Sequence, residues 1–146
     1  MRMKRSGRTS IVVIIALALV AAVVVLFLMA GESPSGVASK FLTALAKGDS
    51  KTLAETSFIE GVSQDELQKK WEATHEVTKY WQFNYMIQDT TQQDANNAAV
   101  VMQWVKNATS PASYGEKYEL PLAKRDGKWK VDVRGISREM YPALPR

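Results

Sequence analysis

The chain has 146 residues, 46% of them hydrophobic and 23% charged, and no cysteine; that is the composition of one ordinary domain plus a short extra segment. It excludes a disordered chain and a disulfide-stapled one, and without thiols there is no thiol catalysis, thiolate metal site or redox exchange. The net charge of +4 is carried by Arg2, Lys4, Arg5 and Arg8, the other basic residues being matched by the 15 acidic ones, so the body of the chain exerts no pull on nucleic acid.

Residues 11–30 read IVVIIALALVAAVVVLFLMA, without a charged or polar side chain. At about 1.5 Å per residue this is roughly 30 Å of helix, the hydrocarbon thickness of a bilayer. The stretch predicts a transmembrane helix with the lipid bilayer as its partner. A cleaved signal peptide, cut after Ala30, is the rival reading. Its apolar core runs about 7 to 15 residues and ends at a small-x-small site, whereas the exit here is Leu28-Met29-Ala30-Gly31. The basic residues before the span predict that residues 1–10 form a cytoplasmic tail and that the rest lies outside the cytoplasm. Ala18 and Ala22 form a small-xxx-small pair, incidental in so alanine-rich a span.

Residues 31–36 are a polar linker in which Ser33 is a helix cap and Pro34 suits a first turn. Val37, Phe41, Ala44 and Leu45 recur at helical spacing as far as Gly48. They predict an amphipathic helix over Val37–Lys47 with Gly48 as its C-cap. Asp49 or Ser50 caps a second helix through Leu53, Ala54 and Phe58. Ser63-Gln64-Asp65-Glu66 fits a capping box, after which Leu67, Trp71, Thr74, Thr78 and Trp81 share one face of a third helix.

Beyond Trp81 the period becomes two. Phe83, Tyr85 and Ile87 alternate with Asn84, Met86 and Gln88 in a first strand, and the polar run Asp89 to Asn97 reads as a hairpin loop. A second strand covers Ala98 to Lys106, and Asn107 to Ser113, with Pro111, is a further loop. Tyr118, Leu120 and Leu122 mark a third strand, and Trp129, Val131 and Val133 a fourth, joined through Asp126-Gly127, a strong hairpin signal. Pro121 has no N–H for a ladder and belongs at an edge or bulge. No element is assigned to the tail, residues 135–146. Three helices followed by four antiparallel strands predict an α+β domain over residues 37–134, with the helices on one face of a curved four-stranded sheet.

The stretch FLTALAKGDSKTLAE, an amphipathic helix ending at Gly48-Asp49 with a second helix starting at once, resembles the opening of nuclear transport factor 2-like (cone-fold) domains. YELPLAKRDGKWKVDV, an Asp-Gly turn leading into a Trp-containing last strand, resembles their closing hairpin. Element order agrees from Gly36 to about Arg134. Among relatives the chain is most similar to small bacterial membrane-anchored or secreted members without an assigned function, which implies a single-pass, signal-anchored protein of the bacterial cytoplasmic membrane. Bitopic components of type IV secretion systems are similar in layout, but no motif selects them. The resemblance implies a conical sheet with a pocket beneath the helices, an active site in some members and a binding site in others. Fold alone does not choose between those uses.

An enzyme of this fold is expected to set a histidine opposite a carboxylate inside the cone, as general acid and base. His75 is the only histidine, and it falls near the edge of its helix's apolar stripe. No carboxylate takes an inward strand position, since Asp89 and Asp94 fall in a loop and Asp132 alternates away from Trp129 and Val131. One histidine, no cysteine and scattered acids supply no metal-ligand spacing, and no cofactor is implied. Trp71, His75, Trp81, Tyr85, Trp104, Tyr118 and Trp129 are the candidate pocket lining, against core packing as the plainer account. The second strand is apolar on both faces: Val100, Met102 and Trp104 point one way and Ala99, Val101 and Val105 the other. With Met86 on the neighbouring strand, Ala99, Val101 and Val105 form a candidate partner surface for a homodimer or a membrane protein, unless the chain's own loop or tail covers it. Asn107-Ala108-Thr109 matches the N-glycosylation pattern, which matters only in a eukaryotic secretory route. The reading is a non-catalytic, membrane-anchored binding or assembly module, with a carrier or sensor of a small apolar ligand as the alternative and an enzyme using His75 third.

Overall fold

The computed structural model describes residues 7–106 and 115–146, and the side chains of residues 11–26, 31–106 and 115–146. The basic side chains at positions 2–8, the loop over residues 107–113 and the Asn107–Thr109 pattern lie outside the described residues. The chain divides into two compact units, Met1–Gly31 and Glu32–Arg146.

The first unit contains helix α1, Gly7–Ala30, 24 residues long and apolar around its circumference from Ile11 onward. Its described side chains, Ile11–Leu26, are exposed. Among the described residues no helix is long and apolar enough to cross a membrane. This corrects the expected transmembrane, signal-anchor helix over residues 11–30, its partnership with a lipid bilayer, and the single-pass placement in a bacterial cytoplasmic membrane.

The second unit opens with α2, Pro34–Lys47. Ser33 caps it by accepting from the Gly36 N–H at 3.1 Å, and Gly48 ends it in the left-handed conformation. Asp49 at once caps α3, Ser50–Thr56, its carboxylate accepting from both the N–H and the hydroxyl of Thr52. Ser63 caps α4, Gln64–Thr78, through the Glu66 N–H. The strands are β1, Ser57–Phe58; β2, Phe83–Gln92; β3, Asn97–Lys106; β4, Glu116–Arg125; and β5, Lys128–Asp132. Their order in the sheet is β1-β5-β4-β3-β2, antiparallel except for β1, which runs parallel to β5 with Ser57 opposite Val131.

The sheet is therefore five-stranded and mixed, not four-stranded and antiparallel as expected. Two extended residues have no period to read, and Phe58, expected in a helix, stands in β1. The run after Gln88 also differs. A bulge between Ile87 and Asp89 resets the register, and polar Asp89 to Gln92 continue the ladder opposite Val101 to Ala98. Pro121 sits in an interior strand, at the end of the β4–β5 ladder, whose last pair is Leu122 and Val131. There its missing N–H costs no hydrogen bond.

α2 crosses the inner face of the sheet, touching β2, β3 and β5. Val37, Phe41, Leu42 and Leu45 meet Val100, Met102, Leu120, Leu122 and Val131 in a core that includes Leu53, Leu67 and Trp71. After β5 the chain makes a 3-10 turn, Val133–Gly135. The segment that follows belongs to the core: Ile136, Met140, Tyr141 and Leu144 are buried. It is fastened to α4, where the Thr74 hydroxyl donates to the Ala143 carbonyl at 2.7 Å and the Tyr141 hydroxyl donates to Thr78 Oγ1 at 2.8 Å.

Candidate functional site

Inward alternation along β2 and β3 brings Phe83, Tyr85 and Trp104 to the helix-covered face. Tyr85 is opposite Trp104, and the rings of Phe83 and Trp104 stack at 4.2 Å. Trp81, in the link after α4 rather than on its face, lies 6.2 Å from Trp104 and 5.8 Å from Phe83. Tyr141 meets Trp81 edge-on at 4.7 Å and Phe83 at 5.9 Å. Tyr85 continues the row, 6.4 Å from Phe83, with its hydroxyl 3.4 Å from Thr43 Oγ1.

Of the sequence-predicted lining, the structure brings together Trp81, Tyr85 and Trp104. The others belong to different surroundings. Trp71 packs edge-on against Phe41 at 5.7 Å, and its indole N–H donates to Ser57 Oγ at 3.2 Å. Tyr118 sits with Lys106 and Glu116; burial, then its hydrogen bond to the Glu116 carboxylate, pushes its hydroxyl pKa up. Trp129 lies under Lys124, whose ammonium is 5.2 Å from its ring. Phe83 and Tyr141 are the members that pocket reasoning missed. Phe83 carried the signal of inward alternation, whereas Tyr141 stands in a tail without an assigned element.

Inside the ring cluster one polar atom is left over: Trp104 Nε1 is buried and has no hydrogen-bond partner among the described residues. Tyr141 is the cluster's titratable member, and burial raises its pKa against the opposing hydrogen bond to Thr78. Neither group is an acid or base near neutral pH.

His75 lies against the α2–α3 corner. A Cβ built on Gly48 would fall 2.1 to 2.5 Å from three atoms of the imidazole. The ring thus occupies the space a side chain at position 48 would need, and it makes no hydrogen bond or ion pair among the described residues. Asp89, expected in a loop, lies in β2 opposite Val101. Among the described residues no group of three or more metal-ligating side chains converges.

On the other face of the sheet the four candidate contact residues separate. Ala99 is buried beside Pro121, against which Gly135 packs so closely that a Cβ there would fall 2.5 Å from Pro121 Cγ. The chain's own 3-10 turn thus covers that end. Val101 and Val105 are half-buried, and Met86 is 58% exposed. Beside Val101 a recess of about 610 Å³ is lined by Gln88, Asp89, Lys117, Tyr118 and Glu119.

No family model matches the chain, and no curated protein matches it. Solved structures do. A candidate calcium/calmodulin-dependent protein kinase type II association domain from Thiobacillus denitrificans is similar at a TM-score of 0.51 and 8% identity, over 69% of this chain and 90% of that one. A SEC-C motif-containing protein from Rhodopseudomonas palustris is similar at 0.50 and 15%, over 68% and 75%. An NTF-2-like protein of unknown function from Shewanella oneidensis is similar at 0.46 and 14%, over 65% and 88%. At these identities the likenesses bear on the fold and not on membrane-anchored relatives. The chain thus shares the fold of the Thiobacillus and Rhodopseudomonas proteins, helices on a bulged sheet, which is the α+β layout that the cone-fold resemblance implies.

Proposed function

We propose that the Glu32–Arg146 unit is a non-catalytic binding or assembly module that pairs with a second copy through the outer face of its sheet. The observation that carries this is the placing of Met86, Val101 and Val105 around Gln103 on the face away from the helices, with Met86 58% exposed on the edge strand β2. An apolar patch with a polar rim is the anatomy of a contact surface. Asp89, Lys117 and Glu119 supply a rim of both signs, which suits a two-fold axis that sets each residue of one copy against the other's complement. Two further points support the reading. The inner face is taken up by ring-on-ring packing, and His75 is engaged against the α2 cap rather than against a carboxylate. The similar Thiobacillus protein is described as an association domain, and pairing is the use carried over here.

The test is sedimentation equilibrium on residues 32–146, with Val101→Glu beside it. The native fragment is expected to reach twice the monomer mass and the variant to stay monomeric with an unchanged circular dichroism spectrum. A native fragment that stays monomeric at every concentration, or a dimer indifferent to Val101→Glu, overturns the proposal.

A further inference from the structure

The register of the outer sheet face determines which side chains meet across a two-fold axis. Met86, Gln103 and Lys117 stand in one row across β2, β3 and β4, and Asp89, Val101 and Glu119 stand in the next. Lys117 and Glu119 are thus neighbours on one face of β4, and the two carboxylates flank Val101. Asp89 is steadied by accepting the Thr90 N–H at 2.8 Å. Asp89, Lys117 and Glu119 are exposed and make no ion pair among the described residues. By contrast, Lys106 pairs with Glu116 and Arg125 with Glu60 inside the chain.

Two sheets that meet face to face lie about 10 Å apart with strands within about 30° of each other, and the axis relating two copies lies in the plane between them. Two orientations of that axis superpose different charges. An axis along β3 exchanges β2 with β4 and keeps each row level. Glu119 then faces Asp89 of the second copy on both sides of the axis, and Lys117 faces Met86. An axis across the strands, between the two rows, exchanges the rows and keeps the strands level. It sets Lys117 of each copy over Glu119 of the other, twice by symmetry. Like charges brought face to face in a contact are strongly unfavourable, whereas opposite ones fix its register.

We propose that two copies associate about an axis running across the strands, and that the reciprocal Lys117–Glu119 pairs select this arrangement. It rests on pairing through the outer sheet face, as proposed for the unit, and adds how the partner is turned. Met86 and Val101 supply apolar contact in either orientation, so the charges decide between them. The recess of about 610 Å³ beside Val101 gives the second copy's Lys117 room to lay its stem on the valine while its ammonium meets Glu119.

Every residue of the core falls within the Glu32–Arg146 unit, so residues 32–146 serve for the test, sedimentation equilibrium at low and high salt. Lys117→Glu and Glu119→Lys each turn two attractions per dimer into two repulsions. Each is expected to weaken self-association at least about tenfold at low salt, and less at high salt, where exposed charges are screened. In an equimolar mixture of the two variants opposite charges face again at both places, and dimerisation is expected to return to the native level. Both side chains are exposed, and recovery in the mixture is a result that misfolded chains do not give. With the axis along β3, Glu119→Lys instead removes the clash with Asp89 and tightens the dimer. A Glu119→Lys fragment that associates as tightly as the native one or more tightly, or a mixture no tighter than either variant alone, overturns the proposal. Val101→Glu separates the two failures. A native dimer broken by Val101→Glu but indifferent to the charge changes keeps the face and loses the axis, whereas a native fragment that stays monomeric loses both.

Discussion

Gly48→Ala tests the role assigned to His75. The residue sits at φ +69°, and a Cβ there would fall 2.1 Å from the imidazole's Cε1. Two costs are separable. Holding alanine in the left-handed region costs about 1–2 kcal/mol, offset by about 0.4–1 kcal/mol because alanine has less freedom to lose than glycine on folding. Moving the imidazole off the corner forfeits its packing, about another 1 kcal/mol at a half-buried site. The single variant should therefore lose about 2 kcal/mol, and the same change in a His75→Ala background only about 1 kcal/mol, a coupling of the size expected for residues in contact. Urea unfolding of residues 32–146 followed by tryptophan fluorescence measures all four corners of the cycle. Equal costs of Gly48→Ala in both backgrounds would refute the reading of His75 as the side chain that seats the α2–α3 corner.

Ser57→Ala should cost about 1–3 kcal/mol, since it strands the buried Trp71 indole N–H that now donates to Ser57 Oγ; the same unfolding curve checks it. Ala143→Gly relieves the positive φ and should stabilise by less than about 1 kcal/mol, the gain being trimmed by the freedom glycine regains when unfolded; a fall in the urea midpoint contradicts it. The Thr52 hydroxyl and N–H hold Asp49 below its ordinary pKa of 3.8. This contribution is present above the unfolded carboxylate value and is lost as pH falls through the folded one. The native fragment should therefore lose more stability between about pH 5 and 3 than Asp49→Asn does, the unfolded value lying near 3.9. Parallel pH profiles would refute the cap's ionic character.

The helices were legible because their ends carry chemistry of their own. Ser33, Asp49 and Ser63 each accept a backbone N–H of the first turn, and Gly48 takes the one conformation that closes α2. Such signals are local, and a sequence displays them in the order in which they act. What was not legible depends on a partner far along the chain. Ser57 and Phe58 are a strand only because Val131 and Asp132 lie beside them. Asp89 to Gln92 look like loop until β3 is there to pair with, because the bulge has broken the alternation that identifies a strand. At α1, the apolar run over residues 11–30 satisfies a length rule, whereas among the described residues no helix is long and apolar enough to cross a membrane.

The candidate site divides along the same line. Period two along β2 and β3 correctly turned Tyr85 and Trp104 inward, but every inward aromatic looks alike in a sequence, so Trp71, Tyr118 and Trp129 were grouped with them. What separates them is what each one touches: Trp71 has Phe41 and Ser57, Trp129 has Lys124, and Tyr118 has Glu116. Tyr141 was invisible for the opposite reason. Its segment, broken by Pro142 and Pro145, has no period to betray that it packs inward, and only the closed fold reveals that α4 holds it by Thr74 and Thr78. Among the described residues the buried side-chain polar atom that finds no partner is Trp104 Nε1, within the group of rings that the tail completes.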